Sequence, residues 1–527
     1  MRYYRKGMIL CLAAALMLTG CQMQPGGDTE TVNNTEVGEK KTEEKKTEDA
    51  TEQQENQEAS GTIRLRIEHH RYDDPVETGN GVAFYGSYDT LQVMGMESES
   101  AIMQTLQSWA DEYEKNYLSE AAAYADESRD DTYVQENNMY YYLSAGIKTE
   151  RIDSQVVSLR LDNGAYRGGV HGDYWTNGVT FDTRTGKQLT LSDLGDIQSE
   201  LKDYLWKQLE SDSDGYFENS EQSLAELIQE GDICWFLTGQ GVQIVINPYE
   251  IASYAAGQFR VLVPYETLTG MKTDYIPDSN MRGIDWGALM QDSVYEQDMD
   301  GDGNMDTLSI KVDGGDENSM DAVTVCYNTA ELTLPEAFGM TSAYICKGDD
   351  KYYLLLTTYG YSEYRTSRLY EFPDGEPVEV FRLDGGEVLG CSQDGVWMQE
   401  EIQCLGTYWG YRYYILQDGT LKPESDTCVL TNTKESEYRY GITPNQDIPV
   451  RMQQEKDGKL EDAVLRAGIM IYPITIREQP ESGVSTIGFE LVDGTYGELD
   501  VRVDPDGRQY VNGIEQMELF DDLPYGD

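Results

Sequence analysis

The chain has 527 residues, with 40 Lys or Arg against 96 Asp or Glu, and its formal net charge is −56. A charge this negative excludes proteins that bind nucleic acids by neutralising phosphates, and proteins that lie flat on anionic lipid, because both need a basic face. Aromatic residues make up 11% of the chain, more than disordered acidic chains contain, so most of it is expected to fold, at this length into about three domains.

Residues 1–20 have the order of a secretory signal peptide, with basic residues first and then an apolar run that ends at Leu18. This run is too short to span a bilayer comfortably. The Leu-Thr-Gly-Cys sequence at its end resembles a bacterial lipobox, in which cleavage leaves Cys21 lipid-modified at the new N-terminus. A plain secretory signal with an incidental cysteine is the alternative. Because no later apolar run approaches the ~20 residues of a transmembrane helix, the lipid is the only membrane attachment that we expect.

Residues 21–60 are rich in Glu, Thr, Gln and Lys and contain no aromatic residue. Such a segment buries too little apolar surface to offset the entropy of ordering it, so we expect a disordered acidic linker. Residues 1–20 carry +3 and the linker carries −7, which leaves −52 on residues 61–527. The acidity therefore belongs to the part that is expected to fold.

Residues 61–270 combine the periodicities of strands and helices. Ile63–Ile67 and Val157–Leu161 alternate with period two, as half-buried strands do. Apolar residues at steps of three and four predict three amphipathic helices, at Ile102, Leu106, Trp109, Tyr113 and Tyr117, at Leu201, Leu205 and Leu209, and at Leu224, Leu227 and Ile228. The sequence therefore predicts an α+β domain here.

Two blocks of this region carry a family resemblance. The first contains Gly-Gly-Val-His-Gly at 168–172 and continues to residue 194, and the second contains Asn-Pro-Tyr-Glu-Ile-Ala-Ser-Tyr at 247–254. In this order they resemble DUF3298, a family of extracytoplasmic bacterial domains of unknown function. Residues 61–150 resemble its usual companion, DUF4163. The two resemblances together cover somewhat under half of the chain.

The resemblance implies a role at the cell envelope. The family occurs in the outer halves of membrane-bound anti-sigma regulators that sense envelope attack, including attack by lysozyme, and beside peptidoglycan deacetylase domains. This chain shows neither a sigma-binding segment with a transmembrane helix nor a deacetylase's paired metal-binding His motif. The resemblance thus implies an envelope-facing recognition domain, and His171, Tyr249 and Tyr254 are its candidate binding residues.

His171 is also the one candidate for catalysis. Held between glycines and oriented by Asp173 or Asp182, it would suit a general base. The alternative is a structural histidine that stabilises a glycine turn. The chain's other histidines, His69 and His70, are adjacent on a predicted strand, so their side chains point to opposite faces and cannot chelate one metal together.

Beyond about residue 285 the helical period disappears and short β-rich runs alternate with turn signals. This pattern is typical of an all-β region, propeller-like or a sandwich, over 285–425, followed by a C-terminal β module over 426–527. The runs include Thr307–Val312, Val323–Tyr327, Tyr352–Thr357, Arg368–Phe372, Val378–Phe381, Tyr411–Leu416 and Ala463–Ile476. Aromatics between Trp397 and Tyr414 can stack on sugars, but their two-residue spacing favours packing within a sheet.

One loop in this region has the oxygen-ligand spacing of a calcium site. Its candidate ligands occupy relative positions 1, 3, 5, 7 and 9 and are Asp298, Asp300, Asp302, Asn304 and Asp306. The loop resembles the DxDGDGxxD loops of integrin-type repeats, and it departs from the EF-hand because Ser309 stands at position 12. We expect a structural Ca²⁺, and an acidic turn solvated by water is the alternative.

Six cysteines remain after the signal and the lipobox, and outside the cytoplasm an even number permits disulfides. The nearest pairs in sequence are Cys326 with Cys346 and Cys391 with Cys404, although fifteen pairings are possible. Free buried thiols are the alternative. No Cys/His cluster suggests zinc.

The sequence lacks the motifs of common enzymes, including the G-x-S-x-G elbow, H-E-x-x-H and the P-loop. We therefore expect a lipid-anchored surface protein of a Gram-positive-type bacterium that binds an envelope component or an extracellular protein without catalysis. A basic, lysozyme-like partner would be attracted by the acidic surface. The alternative function is a hydrolase of peptidoglycan or another envelope glycan, or an accessory subunit of one.

Overall fold

The structure is a computed structural model, and it describes residues 61–72, 77–78, 81–97, 100–137, 139–210, 216–277, 286–288, 294–313, 322–334, 336–348, 351–432, 439–453, 458–479, 482–521 and 523–525. The predicted signal at 1–20, the lipidation of Cys21 and the linker at 21–60 lie outside these residues. Within the described ranges, none of the helices combines the length and the apolar character that crossing a membrane requires.

The first part of the chain is α+β, as predicted. Strand β1 pairs antiparallel with β4, β4 pairs parallel with β5, and β5, β6 and β7 form an antiparallel meander. The elements are β1 Arg64–Arg71, β2 Glu77–Thr78, β3 Gly81–Val82, β4 Phe84–Met94, α1 Ala101–Asp130, α2 Thr132–Glu136, β5 Tyr141–Ile152, β6 Val156–Arg167 and β7 Asp173–Asp182. The strands predicted from period-two alternation correspond to β1 and β6.

Helix α1 confirms the prediction from apolar spacing. It begins after Ser100, whose hydroxyl accepts a hydrogen bond from the Met103 N–H and so caps the first turn. Its buried side chains include Leu106 and Tyr117, and the Tyr117 hydroxyl donates to the Leu143 carbonyl of β5. One face of the meander is thus covered by α1.

A second, smaller group of elements follows β7 and packs around its own apolar core. Strands β8, β9 and β10 form an antiparallel sheet. The elements are α3 Gln198–Leu209, α4 Ser220–Glu230, β8 Cys234–Leu237, β9 Gly241–Ile246 and β10 Phe259–Pro264. Both helices were predicted, and Leu201, Leu205, Leu224 and Ile228 are buried in them.

The region after residue 285 is built of antiparallel strands, as the sequence predicted. Strands β12 to β15 form a four-stranded sheet, while β11 pairs with both β5 and β16 and so joins β16 to β19 to the first sheet. The strands are β11 Trp286–Ala288, β12 Val294–Gln297, β13 Asp306–Asp313, β14 Ala322–Tyr327, β15 Ala330–Leu334, β16 Gly339–Lys347, β17 Tyr352–Tyr359, β18 Arg365–Glu371 and β19 Val378–Asp384.

The last part of the chain contributes mainly to a large, twelve-stranded sheet among the described strands. Its elements, together with the short pair β25 and β33, are β20 Gly386–Cys391, β21 Gly395–Gln403, β22 Thr407–Gln417, β23 Thr420–Pro423, β24 Thr427–Leu430, β25 Thr443–Pro444, β26 Ile448–Gln453, β27 Leu460–Leu465, β28 Tyr472–Gln479, β29 Val484–Glu490, β30 Tyr496–Val503, β31 Gln509–Val511, β32 Ile514–Glu515, α5 Gln516–Leu519 and β33 Phe520–Asp521. The run predicted at Ala463–Ile476 is divided between β27 and β28. Strands also pair across the predicted domain boundaries. Strand β5 pairs with β11 across the boundary near 270–285, and β22 pairs with β24 across the boundary near 425.

Strand β1 is fixed by residues from the far end of the chain. The buried Arg64 guanidinium forms ion pairs with Asp394 and Glu424, with N···O distances of 2.7 and 2.8 Å. It also lies 4.1 Å above the ring of Tyr413. This cluster, together with the hydrogen bond from the Leu65 N–H to the Ser392 hydroxyl, covers the edge that β1 would otherwise expose.

Candidate functional site

The two sequence blocks meet at one end of the meander. The first block supplies the turn between β6 and β7, at residues 168–172, and the second supplies the segment 247–257 between β9 and β10. Gly168 has φ +70° and a Cβ there would lie 3.0 Å from the Val134 side chain, so this turn requires glycine. The structure thus brings together His171, Tyr249 and Tyr254.

Aromatic rings form the contact between the blocks. The rings of His171 and Tyr254 are stacked, with centroids 4.0 Å apart and an interplanar angle of 19°. Tyr174 of β7 packs edge-on against Tyr254 at 5.5 Å, and Tyr249 lies 5.8 Å from Tyr254. His171, Tyr174 and Tyr249 are exposed, and Tyr254 is half-buried between them. We call these four residues the aromatic site.

The segment that carries two of these tyrosines is fixed by the buried Asn247. Its side-chain oxygen accepts from the Thr176 N–H at 2.8 Å and from the Gln258 amide at 2.9 Å, and its amide donates to the Thr176 carbonyl at 3.1 Å. The Asn247 N–H in turn donates to Glu250 at 2.7 Å. These bonds join β7 to both ends of the segment, so they hold the tyrosines against the β6–β7 turn.

Tyr249 adopts an uncommon backbone conformation, with φ +69°. Non-glycine residues in this region are strained, and the surrounding structure must hold them there. Here the Tyr249 N–H donates to Ala252 and the Glu250 N–H donates to Asn247, which closes a tight turn around the residue. The turn leaves the Tyr249 side chain 44% exposed beside His171.

The hydrogen bonds of His171 do not place it beside a carboxylate. Its Nδ1 lies 2.9 Å from the Gly172 carbonyl, which can only accept, so Nδ1 carries the proton. Its Nε2 faces the Tyr249 hydroxyl at 3.5 Å. Asp182, proposed above as an orienting acid, instead accepts hydrogen bonds from Arg184. The site therefore presents rings and hydroxyl groups to solvent.

Partial burial raises the pKa of Tyr254, and the neighbouring Tyr174 and Asp173 act in the same direction. Its hydroxyl is therefore protonated at neutral pH and able to donate a hydrogen bond. Tyr174, Asn247 and Gln258 were not candidates from the sequence. Asn247 lies within the second block, at 247–254, and the other two lie close to the blocks, which was the only signal that pointed toward them.

Comparison with known protein families finds a match to a segment that follows the β6–β7 turn. Residues 189–266 match a family model described as a protein of unknown function, DUF3298. The matched segment includes Asn247, Tyr249 and Tyr254, whereas His171 lies just before it.

Two solved structures are similar to this chain. One is a member of the DUF3298 family from Bacteroides fragilis, with 17% identity and a TM-score of 0.32. The other is a DUF3298 family protein from Pseudomonas aeruginosa, with 18% identity and a TM-score of 0.27. Each comparison covers 41% of this chain and 96% of the other. The search of curated proteins found no match to the chain.

Outside the segment that matches DUF3298, the acidic loop before β13 brings together part of the predicted ligand set. Carboxylate oxygens of Asp298, Asp300 and Asp306 lie within 4.8 Å of one another. Asp298 also accepts from the Gly301 and Gly303 N–H groups, each at 2.9 Å. Asp302 and Asn304, the other two predicted ligands, are exposed and bond to each other.

Asp306 is the buried member of this group. Although burial alone would raise its pKa, hydrogen bonds from the Asn328 amide at 2.7 Å and the Met299 N–H at 2.9 Å hold the pKa of Asp306 below its usual value. It is therefore ionised at neutral pH. The three gathered carboxylates carry negative charge that a cation would neutralise.

The predicted cysteine pairs, Cys326 with Cys346 and Cys391 with Cys404, are not bonded in the structure. All six described cysteines are free and buried. Cys326 lies on β14 and Cys346 on β16, in different sheets, so closeness in sequence did not translate into a pair. Burial raises the pKa of Cys404 to about 12 and that of Cys346 further still. Such thiols are neutral at physiological pH and are poor nucleophiles.

Proposed function

We propose that this chain is a lipid-anchored cell-surface protein that recognises an envelope component or an extracellular protein through the aromatic site. The observation that carries the proposal is the stack of His171 on Tyr254, because it joins two separate sequence blocks into one exposed surface. Tyrosine and histidine rings offer a large contact area together with hydroxyl and imidazole hydrogen bonds, a combination that is enriched at recognition surfaces.

The charge of the chain favours a basic protein partner. Residues 61–527 carry −52, and a surface this acidic attracts cations over long range. A lysozyme-like protein has the required charge. Since salt screens such attraction, the association should weaken as ionic strength rises.

The features at the N-terminus support an extracytoplasmic location. The basic start, the apolar run and the Leu-Thr-Gly-Cys sequence occur in the order that export and lipidation of Cys21 require. The acidic residues 21–60 would then hold the folded part away from the membrane. A lipid-anchored protein of this kind belongs to the outer face of a single membrane, as in Gram-positive bacteria.

We also propose that Asp298, Asp300 and Asp306 bind a structural Ca²⁺. The support is the closeness of their carboxylates and the ligand spacing in the sequence. The ion would tie the loop to the start of β13 and would have no part in catalysis.

The recognition proposal is tested by capture. The purified chain is immobilised and exposed to lysozyme and to an acidic protein of similar size, at low and at high salt. Retention of lysozyme alone, lost at high salt and in Tyr254→Ala, supports the proposal. Equal retention by the wild-type chain and Tyr254→Ala contradicts it.

A further inference from the structure

A second group of tyrosines lies on the first sheet, on the same face as Tyr174 of the aromatic site, which is the register partner of Gly164 on β6. Tyr85 of β4 is the register partner of Tyr142 on β5, and Tyr142 is the register partner of Tyr166 on β6. Register partners on neighbouring strands point to the same face of a sheet, so these three tyrosines form a row across three strands. We call them, together with Tyr140, the tyrosine row.

The row occupies the face of the sheet that α1 leaves uncovered. The neighbours in sequence of its members, Phe84, Tyr141 and Ala165, point the other way and are buried with the side chains of α1. In contrast, Tyr85 is 48% exposed and Tyr140 is 46% exposed.

Tyr140 joins the two ends of the row. Its ring packs edge-on against Tyr85 at 5.3 Å and against Tyr166 at 5.7 Å. The Tyr166 hydroxyl donates to the Gly169 carbonyl at 2.9 Å, which fixes this ring to the β6–β7 turn. The rings are thus held in place by one another and by the backbone, so a ligand would bind to them without ordering them first.

Small polar residues lie beside the row on the same face. Ser87 and Ser144 are register partners, and Gly164 is the partner of Ser144 on β6. A Cβ at Gly164 would lie 2.9 Å from the Ser144 hydroxyl and 3.6 Å from the Tyr142 ring. Because Gly164 has no side chain, this face has a depression between the tyrosine rings and the hydroxyl groups of Ser87 and Ser144.

We propose that the tyrosine row binds an uncharged glycan chain. Adjacent strands are about 4.8 Å apart, so aromatic rings recur across the row at intervals comparable to one sugar ring. The CH faces of pyranose rings pack on aromatic faces, and the serine hydroxyls can exchange hydrogen bonds with sugar hydroxyls. The charge of −52 on residues 61–527 disfavours anionic envelope polymers, whereas a neutral glycan meets no such repulsion.

This inference rests on the proposed envelope-facing role and adds a second ligand class to it. The two proposals differ in their response to salt, because stacking on a neutral glycan is insensitive to ionic strength, whereas binding of a basic protein is not. They also depend on different residues.

The test is calorimetric titration of the intact chain with three neutral hexamers, of N-acetylglucosamine, of β-linked glucose and of mannose, at low and high salt. Variants are Tyr85→Ser and Tyr140→Ser. The matched control is Tyr361→Ser, which removes a ring that is 61% exposed and packs edge-on against Phe338 at 4.6 Å. Thermal unfolding checks that each variant folds.

The proposal expects at least one hexamer to bind at both salt concentrations. Each row variant should weaken that binding at least tenfold, and Tyr361→Ser should change it less than twofold. Absence of binding to all three hexamers overturns the proposal. So does loss of lysozyme capture in Tyr85→Ser or Tyr140→Ser with glycan binding unchanged, because the row would then belong to the protein-binding surface. Tyr254→Ala should retain glycan binding. The glycan-binding proposal for the tyrosine row can therefore fail or succeed independently of the protein-binding proposal for the aromatic site.

Discussion

His171 stacks on Tyr254 with ring centroids 4.0 Å apart, although the two residues belong to different strand connections. The stack forms because the β6–β7 turn and the segment after β9 are both anchored to β7. Stacked pairs contribute about 0.5–1.5 kcal/mol beyond the area they bury, too little to hold the loops together alone. The hydrogen bonds of Asn247 supply the rest.

Replacing Asn247 should therefore loosen the aromatic site. In Asn247→Ala the buried Thr176 N–H loses its acceptor, and we predict a decrease of about 1–3 kcal/mol in the free energy of unfolding, measured with urea. Lysozyme capture should fall as well. The control is Asn445→Ala, whose exposed side chain donates to the Glu518 carbonyl and should cost less than half as much. A smaller effect at Asn247 than at Asn445 contradicts the anchoring role.

The sequence predicted the elements of this region well, because local periodicity reports burial directly. The helix through Leu106 and the strand through Leu159 were both found. It did not predict the tyrosine row, since Tyr85, Tyr142 and Tyr166 come together through strand register. Register depends on pairing across tens of residues, which a single sequence does not reveal.

Removal of calcium should destabilise the protein. An ion present at 100 times its Kd stabilises the folded state by about 2.7 kcal/mol, so EDTA should lower the melting temperature of the wild-type chain by a few degrees. Asp300→Asn should melt at the lower temperature with or without EDTA. Asp506→Asn alters an acid in an exposed turn and should respond to EDTA like the wild type. An unchanged melting temperature of the wild type in EDTA contradicts the site.

The Arg64 cluster should be important for stability. Arg64→Ala leaves Asp394 and Glu424 without their shared cation, and we predict a loss of about 2–4 kcal/mol in the free energy of unfolding. Arg466 pairs with Asp447 but has a side chain that is 71% exposed, so Arg466→Ala should cost less than about 0.5 kcal/mol. Urea unfolding of both variants measures the difference. Similar losses in both would show that Arg64 does not fix β1.

Glu150 should make stability decrease as pH rises toward neutrality. Burial outweighs the attraction of Arg160 and raises the pKa of Glu150 to about 7. Between about pH 4.5 and 7 the folded state then binds more protons than the unfolded state, so the free energy of unfolding falls as pH rises, by up to about 3 kcal/mol.

Glu150→Gln removes this titrating group and should reduce the pH dependence. The control, Glu461→Gln, changes an exposed acid on β27 and should retain it. Urea unfolding at several pH values gives the slopes. A slope in Glu150→Gln equal to that of the wild type contradicts the assignment.

For the cysteines, closeness in the sequence did not predict which residues pair. Cys391 and Cys404 are close along the chain, yet Cys391 ends β20 and Cys404 packs in the core beneath the large C-terminal sheet. We predict that alkylation of the folded protein leaves both thiols unmodified and that alkylation after unfolding modifies them. A disulfide found by mass spectrometry without reduction would contradict the free thiols of the structure.

We propose that the aromatic site recognises a basic partner. The most direct test is the affinity of the intact chain for lysozyme, measured by calorimetry over a range of salt, for the wild type, Tyr254→Ala and Tyr361→Ala. We expect salt-sensitive binding that Tyr254→Ala weakens at least tenfold and Tyr361→Ala leaves unchanged. Absence of binding by the wild type, or equal affinity in Tyr254→Ala, would contradict it.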